Sequence, residues 1–62
     1  MKPFIFGDWH AWQANNSVMV SDEASKKLRS FANTDDAINW LFLNGHKDVA
    51  RKLNAHIEET GK

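Results

Sequence analysis

The 62-residue chain has no cysteine. Without thiols no disulfide can staple so short a fold, and no thiolate can hold structural zinc. The compartment is formally open on that ground, and a cytoplasmic setting is the simpler expectation. Charge of one sign is also lacking, because eight Lys and Arg balance eight Asp and Glu. Nucleic-acid affinity comes largely from phosphate neutralisation, so this balance supplies no strong nonspecific anchor for a polyanion. Long apolar runs are missing too. After the opening "MKPFIF", Gly7, Asp8 and His10 interrupt the apolar run before a signal-peptide core or a membrane span can form. Residue 1 therefore reads as the start of a soluble chain with no membrane partner.

Catalytic and ligand-binding motifs are equally sparse. There is no HExxH pattern, nucleophile elbow or phosphate-cradling glycine loop. His46 and His56 fall on the predicted last helix but point roughly 80° apart at helical periodicity, so they do not converge on a metal. Asp35-Asp36 and Glu58-Glu59 are sequence neighbours, and neighbouring helix residues face different ways. The first pair is explained by its place at a positive helix end. The expectation is a protein that is not an enzyme, with no cofactor, metal or small-molecule substrate.

Aromatic residues are what the chain does have, concentrated at its front. Phe4, Phe6, Trp9 and Trp12 lie within "MKPFIFGDWHAWQANN", whose only formal charges are Lys2 and Asp8. A fold of this size buries only about 60% of its unfolded surface. Each large apolar side chain is therefore needed either for the core or for a partner. Tryptophan, with a broad apolar face and an N–H donor, suits a partly wet interface. The competing role for Trp9 and Trp12 is to fold back over Leu28, Trp40 and Leu53 and complete the core.

Three helices are predicted behind this front. The first reads "SDEASKKLRSFAN": Ser21 caps it, Asp22 and Glu23 sit at its positive end, and Lys26, Lys27 and Arg29 favour its negative end. Its apolar stripe is Ala24, Leu28, Phe31 and Ala32. The second, "NTDDAINWLFLNG", has Asn33 or Thr34 as cap and Gly45 as terminator. Its "WLFL" run is apolar almost all round, so it is expected to be central and covered by other helices or a second subunit. The third begins near His46 and runs through "HKDVARKLNAHIEE", with Val49, Ala50, Leu53, His56 and Ile57 on one face and Thr60 and Gly61 weakening its end. Leu53 and Ile57 are expected to anchor it against "WLFL" across the short Asn44-Gly45 join.

Two readings of the first twenty residues stay open. "SVMV" favours a strand, with Val18 and Val20 on one side and Asn15-Asn16 turning it back against "HAWQA" or "FIF". Alternatively Asp8 caps a helical turn that places Trp9 and Trp12 on one face. The expected fold class is mainly α: a small three-helix domain with an N-terminal aromatic arm able to form a short β-hairpin. Residues 1–20 are the arm or hairpin and 21–62 a compact helical region, all within one domain.

The function expected from these features is a small protein–protein interaction module, regulatory or accessory, acting by occluding or stabilising a partner surface. The partner is another protein or a second copy in a homodimer. Trp9, Trp12, Trp40 and Phe42 supply the contact, and Lys47 and Arg51 tune charge complementarity. The alternative is a helix-turn-helix-like DNA-binding protein that reads with the last helix, using Lys47, Arg51 and Asn54. Asp48, Glu58 and Glu59 place repulsive charge on that same helix.

Overall fold

In a computed structural model, which describes residues 2–60, the chain forms four strands followed by two helices. The strands are β1 (Phe4–Phe6), β2 (Trp9–Ala14), β3 (Ser17–Asp22) and β4 (Lys27–Phe31), and the helices are α1 (Thr34–Leu43) and α2 (Lys47–Thr60). The strands make one antiparallel sheet in chain order, β1-β2-β3-β4. The mainly α, three-helix expectation is thereby corrected to a mixed α/β domain. The expected Gly61 contribution to the end of α2 lies outside the described residues.

Each turn has a local cause. Gly7 takes a positive φ of 59° and Asn15 one of 50°, the left-handed conformation that two-residue hairpin loops favour and that Gly and Asn tolerate best. These loops pair Phe6 with Trp9 and Ala14 with Ser17. Of the two front-end readings, the strand is therefore realised, with Asn15-Asn16 folding "SVMV" onto "WHAWQA".

The third turn is where the sequence expectation fails. Residues 21–33 do not form a helix. Asp22 instead accepts hydrogen bonds from Ala24 N (3.1 Å) and Ser25 Oγ (2.8 Å), which bends the chain so that Lys27 pairs with Asp22 and Arg29 with Val20. Glu23 N also donates to Asp8 O at 2.9 Å, tying this loop to the β1–β2 loop. The acidic residues that looked like a helix start thus close a hairpin. Pairing with β3 overrides the high helix propensity of Ala and Lys in this segment, a local preference that tertiary context can outweigh.

Asn33 is the realised cap of α1, its Oδ1 accepting from Asp36 N at 2.8 Å. At the other end Gly45, φ 82°, donates to Phe42 O at 3.2 Å, and His46 N donates to Leu41 O at 2.8 Å. These are the two bonds of a Schellman motif. The His46 carbonyl then accepts from Ala50 N at 3.0 Å in the first turn of α2. His46 is therefore held by the end of one helix and the start of the next.

The helices cover one face of the sheet, α1 over β3 and β4 and α2 against β1. Between them lie Phe4, Ala11, Val18 and Val20 from the strands and Ala37, Leu41, Val49, Ala50 and Leu53 from the helices, all buried. Leu53 anchors α2 as expected, with Ile57 packed at the edge of the core. His56 donates Nε2–H to Lys2 O at 2.8 Å and stacks at a tilt on Phe4, 5.4 Å between centroids. The "WLFL" run is only partly covered. Leu41 is fully buried, whereas Phe42 is 40% and Leu43 78% exposed, because the sheet lies on one side of α1 only. No described helix is long and apolar enough to cross a membrane.

Candidate functional site

Side chains alternate across a sheet, and the cross-strand register assigns each to a face. Phe4, Phe6, Trp9, Ala11, Val18, Val20, Lys27, Arg29 and Phe31 share the face beneath the helices. The opposite face presents two rows. Ile5, His10, Ser21 and Leu28 align across all four strands, and Trp12, Met19 and Ser30 align beside them. Ala14 and Ser17 complete it at the β2–β3 turn.

This outer face contains no Asp, Glu, Lys or Arg. Both helices pack on the other side, so no described element covers it. Ile5 is 69% and Leu28 60% exposed at its two edges, while Trp12 and Met19 are half-buried as direct partners at its centre. A chain that is 26% charged has kept every formal charge off one whole sheet face. Apart from His10 and the serines, the face has the character of an interface centre: apolar, aromatic and depleted of charge.

The inner face carries a second feature at its β4 end. A cleft of about 210 Å³ is lined by residues that include Trp9, Lys27, Arg29, Trp40, Asn44 and His46. Its walls include rings packed at a tilt: His46 lies 4.7 Å from Trp9 and 5.8 Å from Trp40, with Phe31 behind, 5.9 Å from Trp40. The Arg29 guanidinium sits 4.6 Å over the Trp40 ring, a cation–π contact worth about 0.5–1 kcal/mol at an exposed site. Asn44 Nδ2 donates to Trp40 O at 2.8 Å, fixing the polar rim. Asp22 also lines this cleft, but its carboxylate is occupied by the turn.

The residues expected to act together do not lie together. Trp9 and Trp12 point to opposite faces of β2, so they do not form one binding patch. Trp9 and Trp40 meet in the aromatic cleft. Trp40 is shielded by Arg29, Phe31 and His46 of its own chain, so it does not need the homodimer that was invoked to cover it. Phe42 projects from α1, while Lys47, Arg51 and Asn54 are exposed on α2. A broader open depression of about 900 Å³ between β1 and the later part of α2 has Lys52, Glu58 and Glu59 on its rim. Its floor includes the tilted Phe4–His56 ring pair, but it is open to solvent and lined by charges of both signs. Among the described residues no three His, Asp or Glu side chains gather as a cation site.

Sequence reasoning missed Ile5, His10, Met19, Leu28, Lys27 and Arg29 as site residues. The available signal was the alternation in "KLRSF", with cations at 27 and 29 and Leu28 between them; reading the segment as a helix concealed it. Compared with known proteins, the chain matches no family model, no curated sequence and no solved structure.

Proposed function

We propose that the protein is a binding module for another protein and that the charge-free outer face of its sheet is the docking surface. The observation that carries this reading is the segregation of charge. Ile5, Trp12, Met19 and Leu28 occupy a face with no ionic side chain, although the rest of the surface is densely charged. Desolvating such a face requires no stripping of water from ions, and its Trp and Met side chains are enriched at interface centres. Trp12 is the anchor, and the helices on the opposite side hold the sheet rigid beneath it. The act is binding rather than catalysis, with occlusion or stabilisation of the partner surface as its consequence.

The nucleic-acid alternative has Lys47, Arg51 and Asn54 exposed along one line of α2, and Glu58 continues that line. That mixed charge makes a poor phosphate track.

A photo-crosslinking phenylalanine analogue placed at Trp12, and separately at Arg51, tests the assignment in living cells. The position-12 probe is expected to give an adduct with a defined protein chain, re-formed from purified components, while the position-51 probe gives none. Adducts from position 51 alone, or a nucleic-acid adduct there with none at 12, would overturn it.

A further inference from the structure

We propose that the free edge of β4 accepts an extended segment of the partner as a fifth antiparallel or parallel strand. The segment has acidic side chains on the cleft side and aliphatic side chains on the charge-free side. This rests on the protein-binding reading and specifies the partner's chemistry.

A terminal strand leaves alternate backbone N–H and C=O groups without a strand partner, and such edges are templates for strand addition. The sheet has two of them, β1 and β4. β1 offers three residues, follows Pro3, and is flanked by the His56 bond to the Lys2 carbonyl. β4 offers five residues, exposed from Lys27 through Ser30, and is the edge with room for a ladder.

Its side chains specify the guest. Lys27 and Arg29 project on the helix side and border the aromatic cleft, where the one acid is Asp22, across the sheet from Lys27; alternate positions of an added strand would set carboxylates on the other side of these two cations. The intervening positions fall next to Leu28, 60% exposed, on the side of the sheet that carries no formal charge. A guest with acids on one face and aliphatic groups on the other continues both surfaces. The cleft volume, about 210 Å³, is below the roughly 300–1,000 Å³ of small-molecule pockets. The cleft has room for a single side chain of the added strand reaching past Arg29 toward His46 and Asn44.

Self-pairing is disfavoured by the same charges. A symmetric antiparallel β4–β4 pair overlapping all five residues places Arg29 opposite its own copy, and moving the pairing centre to Leu28 sets Lys27 opposite Arg29; moving it to Ser30 avoids this but leaves only Arg29 to Phe31 in the ladder. Like charges directly opposite destabilise a ladder. The longer self-paired registers are therefore unfavourable, and an acidic heterologous strand is the occupant that complements the full length of the edge. Cations on an edge also guard against aggregation, a role that would leave the edge empty.

The test is a titration of the isotope-labelled full chain, followed by amide resonances, with two short peptides: one alternating glutamate with valine, the other lysine with valine. The glutamate peptide is expected to bind saturably, shift β4, Trp40 and His46, and weaken about tenfold or more between low and high salt. The double variant Lys27→Glu and Arg29→Glu, with an unchanged circular dichroism spectrum, should lose that peptide and take the lysine one. Absence of saturable binding, equal binding of both peptides, or shifts confined to α2 would overturn the proposal. So would binding of a short oligothymidine at β4 in place of the peptide. Should the peptide fail while the position-12 crosslinker still finds its protein, the edge proposal falls and the docking face stands. Failure of both removes both.

Discussion

Replacing Leu53 by alanine is expected to lower the unfolding free energy by about 2–5 kcal/mol. Leu53 is fully buried where α2 meets the sheet and α1, alongside Leu41, Ala50 and Val49. Removing its isobutyl group loses the transfer energy of the buried carbons and leaves a cavity that close-packed neighbours fill only in part. A chain of 62 residues has a total stability of roughly 3–9 kcal/mol at about 0.05–0.15 kcal/mol per residue. The substitution therefore removes a large share of it. The comparison is Leu43→Ala on α1, where the side chain is 78% exposed and the expected change lies within about 0.5 kcal/mol. Urea unfolding followed by near-ultraviolet circular dichroism reads both. Equal losses from the two substitutions would mean that the helices do not bury the faces described.

The two front tryptophans should separate in the same experiment. Trp9→Ala is expected to cost on the order of 2 kcal/mol, below the range for fully buried Trp because the side chain is only partly buried. The loss comes from its packing against the core and against His46 at 4.7 Å. Trp12→Ala should cost less than about 1 kcal/mol, the scale of one cross-strand pair, since Trp12 meets Met19 on the bare face. A cost for Trp12 equal to or above that for Trp9 would indicate that the outer face is covered within the monomer. The docking surface would then be lost as an explanation.

Much of this architecture could be read from local chemistry. Asn15-Asn16 announced the β2–β3 hairpin, Asn33 or Thr34 the cap of α1 and Gly45 its end, and Leu53 marked the buried stripe of α2. Each signal is carried by a few adjacent residues whose conformational preferences agree with the final fold. Residues 21–33 behaved differently. Ser21, Asp22 and Glu23 resemble a helix entrance, and Leu28 and Phe31 are three residues apart, so the segment has helical spacing. As an edge strand β4 is exposed along most of its length, and the short Lys27-Leu28-Arg29 alternation is its only strand-like pattern. Its conformation comes from pairing with β3, a contact outside the segment itself.

The candidate site suffered from the same missing information. Under the strand reading the opposite facing of Trp9 and Trp12 follows from period two, but a helical turn gave the contrary answer and local residues did not choose between them. The charge-free face is legible only once four strands are set in register, because Ile5, Trp12, Met19 and Leu28 come from four separate segments. Lys27 and Arg29, read as cations near a helix C-terminus, gained a different meaning when β4 placed them beside Trp40. The cleft depends in turn on His46, whose position follows from backbone bonds at the helix junction rather than from its own side-chain preference.

The open face and the free edge both depend on residues 27–31 closing the sheet. Backbone proton distances from nuclear Overhauser spectroscopy measure this directly in the free protein. Cross-strand contacts joining Val20 to Arg29, Ser21 to Leu28 and Asp22 to Lys27 are the expected result. Continuous contacts from each residue to the third one following it through 22–32, with those cross-strand contacts missing, would show a helix there and contradict both.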